Sequence, residues 1–232
     1  MLTLTAYQQE ALQKVFSKQF TLLHGITGSG KTEVYIRAVK QVVAEGKQAI
    51  ILVPEISLTP QTVERFSLHF KTAVLHSHLS KKQRSLEWQK IQNNEIEVVI
   101  GARSALFAPV NSLGLIVLDE EHDQSFKQDS HPHYHAREAA IKRAELTGAR
   151  VILGSATPSL ESYYLATNDP KWQIVGLPER IDNRALPKVE IVDLKAELKS
   201  GNRTVLSHIL RSALQTVLAE KKQAILLQNR RG

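Results

Sequence analysis

Short apolar, β-branched runs recur along the chain at 20–23, 48–53, 72–75, 98–101, 115–118 and 151–153. Between them lie longer stretches with apolar residues at helical spacing, at 31–45, 59–70, 80–92 and 135–147. Runs of three to six mostly apolar residues without strict polar alternation fit strands covered on both faces, as in a parallel sheet flanked by helices. The alternation therefore predicts an α/β domain with a mainly parallel sheet between helices.

The pattern changes after residue 169. Runs at 172–175 and 189–192 predict strands separated by the loop 177–184, and 204–220 predicts a helix. A last apolar run, 224–227, predicts the first strand of something new. The expected organisation is a lobe over 1–168, its end and a connector over 169–222, and the start of a truncated second lobe over 223–232.

Composition narrows the class. The chain has 232 residues, 42% hydrophobic and 23% charged, which is ordinary for a globular protein with a real core. No apolar stretch approaches the roughly 20 residues that span a bilayer. The N-terminus lacks the basic and apolar regions of a signal peptide. With 0 cysteines there is no disulfide or thiolate metal site, and the expected compartment is the cytoplasm. A net charge of +7 favours polyanions such as nucleic acid, although simple solubility explains the same charge.

Candidate chemistry begins with GITGSGKT, residues 25–32, between an apolar run and a helical pattern. This is the spacing and context of a phosphate-binding loop. Gly25, Gly28 and Gly30 let the backbone turn its N–H groups inward, with Thr27 and Ser29 between them. Lys31 would reach the β- and γ-phosphates, and Thr32 would ligate Mg2+. The run 115–118 then leads into Asp119-Glu120-Glu121-His122. Acids at the C-terminal end of a buried strand lie where open α/β sheets bind ligands. Asp119 would hold the Mg2+ hydration shell and Glu120 would polarise the attacking water. After 151–153 come Gly154-Ser155-Ala156-Thr157-Pro158. Ser155 and Thr157 can hydrogen-bond the acidic cluster, and Thr157 or Ser159 can cap the next helix.

GKT, DEEH and SAT in this order resemble superfamily 2 helicases and translocases. The fuller strings GITGSGKTEVYI, LVPEISLTPQ, HSHLS, GARSALFAP, LDEEHDQSFKQ, PHYHAREAA and GSATPSLES resemble, over nearly the whole chain, the bacterial replication-restart DNA helicases. The resemblance implies a RecA-like lobe using ATP and Mg2+ to drive 3′-to-5′ unwinding at stalled forks, for restart and primosome assembly. It places Gln8 as the amide that reads adenine, with Tyr7 departing from the acidic residue expected beside it. It places Pro54, Glu55, Ser57, Arg103 and Ser104 along a DNA track. Hydroxyls and a guanidinium suit phosphates there, while a surface salt bridge is the other reading of Arg103. Residues 123–135 resemble the family's ring-rich loop. Phe126 and Tyr134 would stack on bases, Lys127 would meet phosphate, and His122 would bridge the nucleotide and DNA sites. The alternating His131, His133 and His135 lack the added carboxylate or thiolate pattern of a metal site.

The implied partners are forked or single-stranded DNA, other primosome proteins and a single-strand-binding protein, with the chain itself a monomer off the membrane. Zinc is expected only in a cysteine-rich module outside these residues. A second lobe would supply an arginine finger, so the chain alone is expected to bind ATP weakly, hydrolyse it poorly and not unwind DNA. A double-strand DNA translocase lobe and a nucleotide-gated single-strand-binding module remain the competing functions.

Overall fold

In a computed structural model, residues 3–181 and 187–228 are described. The chain divides into two compact units, Met1–Arg184 and Ala185–Gly232.

The first unit is a seven-stranded sheet between helices. In chain order it contains α1 (Ala6–Lys14), β1 (Phe20–Gly25), α2 (Lys31–Ala44), β2 (Gln48–Leu52), α3 (Pro60–Ser67), β3 (Thr72–Leu75), α4 (Lys81–Gln92), β4 (Val98–Gly101), β5 (Leu113–Asp119), α5 (Ala136–Thr147), β6 (Arg150–Ser155), α6 (Leu160–Asn168) and β7 (Trp172–Leu177). The strand order is β3-β4-β2-β5-β6-β1-β7, and every pair is parallel. Successive residues feed opposite cores. Leu22 and Ile50 pack on one face of the sheet, Leu23 and Ile51 on the other. That is why the strands read as unbroken apolar runs.

Helix starts follow local chemistry. Thr5 and Gln8 form a capping box, as do Ser80 and Gln83. Thr59 caps α3 ahead of Pro60, whose missing N–H costs nothing at the first turn. Ser159 caps α6, as the sequence allowed.

Strand β7 lies beyond the change of pattern yet pairs with β1, from Phe20 opposite Trp172 to Gly25 opposite Leu177. It completes the same sheet. Two expected strands are corrected. Residues 189–192 and 224–227 are not strands. Ile191, Ile225 and Leu227 there are almost fully exposed. An apolar run becomes a strand only where a neighbouring backbone takes its hydrogen bonds. The second unit contains α7 (Leu194–Lys199) and α8 (His208–Ala219), the latter the helix expected over 204–220.

Register aligns the functional ends. Gly25 pairs with Leu177, His24 with Ser155, and Asp119 with Gly154. The glycine loop, the acid pair and the SAT turn therefore emerge at one edge of the sheet.

Candidate nucleotide and nucleic-acid sites

Gly28 and Gly30 have φ of 85° and 80°, in the left-handed region that the loop's turn requires. Gly30 precedes α2 with no side-chain cap, so no side chain satisfies the first N–H groups at the positive end of that helix. The Ser29 hydroxyl is buried without a hydrogen-bond partner. A cradle with unused donors fits the phosphates of a nucleotide. Lys31, only 8% exposed, donates to the Gly25 carbonyl at 3.0 Å and lies 3.6 Å from Glu120 Oε1. Thr27 is exposed beside Gly28.

The acid pair is held under tension. Glu120 sits at φ 49°, a left-handed conformation that costs a non-glycine residue energy and clusters at functional sites. Asp119 is half-buried. Desolvation first, and the Glu120 charge second, push its carboxyl above the ordinary aspartate value. The Tyr35 hydroxyl donates to Asp119 Oδ1 at 2.9 Å, and burial beside these carboxylates raises the tyrosine's pKa well above its usual value. Tyr35 was not singled out from the sequence. The available signal was its position four residues after Lys31, on the same helix face. Thr32 and Asp119 line one cavity of about 60 Å³ together with Ser57 and Arg65. A hydroxyl and a carboxylate facing one space suit Mg2+ carried in by a nucleotide. Among the described residues no cluster of three or more His, Cys, Asp or Glu forms an all-protein metal site.

The expected relay residues meet. His122 Nδ1 lies 2.8 Å from Ser155 Oγ and 3.8 Å from Glu120 Oε2. The Thr157 amide donates to the same Ser155 oxygen at 3.0 Å. Glu121, missed in the sequence, is fully buried. Its carboxylate accepts from the Ser159 amide at 2.8 Å and from the Ser162 hydroxyl at 2.7 Å, with Arg137 Nη1 at 3.5 Å. It thus ties the end of β5 to the starts of α5 and α6.

On the expected DNA side, Glu55, Arg103, Ser104 and Tyr134 line one cavity of about 130 Å³ with Ser77 and Gln128. Ser77 donates to Glu55 Oε1. Lys127 is exposed on the ring-rich loop, whose two arms meet through the Gln128 amide donating to the Tyr134 carbonyl at 2.8 Å.

Several assignments are corrected. Phe126 is 0% exposed and belongs to the core, because a short 3-10 turn over Gln124–Phe126 folds its ring inward. It cannot stack on a base. Phe107, 52% exposed and edge-on to Tyr134 at 5.2 Å, is the available ring, and the sequence reading passed over it. Pro54 is buried at the start of a 3-10 turn, and Ser57 faces the Thr32–Asp119 cavity instead of the DNA-side one. Arg103 uses Nη1 on the carbonyls of Ser125 (2.8 Å) and Lys127, and its guanidinium lies 5.8 Å from the Tyr134 ring centre. It fastens the ring-rich loop through Nη1, and among the described residues no carboxylate pairs with it, so the surface salt bridge is not formed. Gln8 is 2% exposed, with Oε1 accepting from the Thr5 amide and Nε2 donating to the Ser29 carbonyl, each at 3.0 Å. Its amide braces the glycine loop instead of facing a base. Tyr7 lines an open groove of about 220 Å³ with Lys14 and Pro178.

The DEAD/DEAH box helicase family model matches residues 5–165. The chain is 50% identical to the replication restart protein PriA of Bacillus subtilis over 91% of its own length and 26% of that protein. It is 49% identical to PriA of Synechocystis over 99% of its length and 29% of the relative. The chain of Rickettsia prowazekii PriA is 44% identical over 93% and 33%. The chain thus spans about a quarter to a third of these relatives. Among solved structures, RecG bound to a three-way DNA junction superposes with a TM-score of 0.57 at 24% identity, over 80% of this chain and 25% of that one. The helicase MrfA bound to DNA gives 0.54 at 20% identity, over 76% and 27%. These two likenesses establish the RecA-like α/β fold.

Proposed function

Because the chain belongs to the DEAD/DEAH box helicase family, we propose that it is the ATP-binding motor lobe of a 3′-to-5′ DNA helicase acting in replication restart and primosome assembly. The observation that carries this reading is the meeting of Lys31 and Glu120, 3.6 Å apart, at the sheet edge shared with Ser155. A phosphate-binding lysine beside a carboxylate that can polarise water suits triphosphate hydrolysis. The 42–50% identity to PriA proteins supports the restart role.

When bound, MgATP supplies the phosphoanhydride to be cleaved and the ion that neutralises its charge. Loop N–H groups and the α2 N-terminus would hold phosphate oxygens. Lys31, now on the Gly25 carbonyl and near Glu120, would turn to the phosphates and leave Glu120 to accept a proton from water. Thr32 and Asp119 would hold the ion. The Glu120–His122–Ser155 contacts carry a change at Glu120 toward the ring-rich loop that Arg103 fastens. Tyr134, Phe107, Lys127, Ser104 and Glu55 then form the single-strand contact surface. For the whole protein the proposal includes forked DNA, other primosome proteins and a single-strand-binding protein as partners, a zinc module outside this chain, and action at the bacterial nucleoid. Among the described residues no helix is long and apolar enough to cross a membrane.

The test is strand displacement on forked DNA by the whole protein, alongside DNA-stimulated ATP turnover. Glu120→Gln should keep ATP binding and lose both activities. Turnover without displacement would assign a double-strand translocase. Unchanged DNA binding and release in Glu120→Gln would assign a passive nucleotide-gated module.

A further inference from the structure

The segment after β7 crosses the glycine loop and is tied to it at two points. The Ile26 amide donates to the Leu177 carbonyl at 3.3 Å, and the Ile181 amide donates to the Gly28 carbonyl at 3.0 Å. A Cβ at Gly30 would lie 2.5 Å from Ile181 Cδ1, so this strap rests directly on the loop. Between the two ties is Arg180. Its Cγ and Cδ would stand 3.7 and 3.9 Å from a Cβ at Gly28, which lays its stem along the loop backbone.

Arg180 Nε is shielded from solvent and has no hydrogen-bond partner. Among the described residues no carboxylate forms an ion pair with its guanidinium. A buried, unsatisfied N–H is uncommon in native proteins and asks for a partner. This one belongs to a side chain laid against Gly28, in the loop that leads into the positive end of α2. A polyanion seated in the loop would satisfy the N–H and balance the guanidinium charge together. The Ser29 hydroxyl, also buried and unpartnered in the same loop, points to the same missing acceptor.

We propose that Arg180 is a nucleotide-binding residue, held by the strap Leu177–Ile181 so that its guanidinium takes the phosphate chain of a nucleoside di- or triphosphate. The inference rests on the reading of Gly25–Thr32 as the ATP site and adds a cation outside GKT, DEEH and SAT. Arginine suits the role because its planar fork can pair with two phosphate oxygens.

The test is the dissociation constant of this chain for MgADP and MgATP, by titration calorimetry, with ligand-free melting temperature measured beside it. Arg180→Ala should weaken both nucleotides about tenfold or more, as for loss of a charge-assisted hydrogen bond. The ligand-free melting temperature should stay near the parent value, and Arg180→Lys should recover part of the affinity. If alanine disturbs the strap, Arg180→Gln keeps the stem without the charge and carries the same comparison against Arg180→Lys. Affinities unchanged in both neutral variants would overturn the proposal. So would equal losses in the lysine and neutral variants with a lowered ligand-free melting temperature, which would make the strap purely structural. Lys31→Ala separates the two readings. If it weakens binding and the Arg180 variants do not, only the Arg180 assignment fails. If the parent chain binds no better than Lys31→Ala, the loop reading fails with it.

Discussion

The Tyr35 hydroxyl reaches Asp119 across the sheet edge at 2.9 Å only because residue 154 has no side chain. A Cβ there would lie 1.6 Å from the tyrosine oxygen. Gly154→Ala should therefore force the ring aside, at about 1–3 kcal/mol for overpacking. Tyr35→Phe should cost about 1 kcal/mol for the lost hydrogen bond. The two should combine to less than their sum, since they damage one contact. Thermal unfolding of the single and double variants measures this, and parent-like stability in Gly154→Ala would sink it.

Asp119 gives a pH test. Its folded-state pKa is raised by burial and by Glu120. The ionised form is thus disfavoured by folding, so its favourable contribution is present below the unfolded value and is lost as pH rises through the folded one. At neutral pH the ligand-free protein carries that penalty. Asp119→Asn should raise the ligand-free melting temperature at pH 7 and above, by an amount that shrinks on acidification, while Mg2+-dependent nucleotide binding falls. A lowered melting temperature at pH 7 would contradict the assignment.

Glu121 and Arg137 are a buried pair 3.5 Å apart. Removing one partner leaves the other charge buried and unpaired, so Glu121→Ala should cost about 3–5 kcal/mol. Adding Arg137→Ala should return part of that loss. Denaturant unfolding of the full mutant cycle is the measurement, and simple additivity would remove the coupling.

The two phenylalanines of the ring-rich region should separate stability from binding. Phe126→Ala empties a core position and should cost about 3–5 kcal/mol. Phe107→Ala should barely change stability, yet weaken single-strand DNA binding by about 1–3 kcal/mol per stacked base. Fluorescence anisotropy with oligothymidylate distinguishes them. The opposite pattern would restore Phe126 as the stacking ring.

In the second unit, the Asn202 amide first, then the His208 backbone and ring, hold Glu197 down to about 2. A depressed carboxylate stabilises above its unfolded value, near 4.5, and that contribution disappears as pH falls toward 2. The helical signal of α8 should decline over that window in far-ultraviolet circular dichroism. Glu197→Ala should flatten the decline, and an unchanged titration would refute the link.

Much of this was legible in one dimension. Unbroken β-branched runs required a sheet covered on both faces. G-x-x-x-x-G-K-T between strand and helix needed glycines at positive φ, and the acids after 115–118 had to emerge at a strand's C-terminal end. What the sequence determined by itself was thus period, turn chemistry and the order of reactive groups, all properties of neighbouring residues. The tertiary structure decided which groups remain available. Phe126 turned into the core, Gln8 and Arg103 were taken up by distant carbonyls, and among the described residues 224–227 pairs with no strand. Arg180 came to lie against Gly28, about 150 residues earlier in the chain. A side chain's local pattern says what bonds it can make. Only the fold brings up the partners that satisfy those bonds, or leaves them open for a ligand.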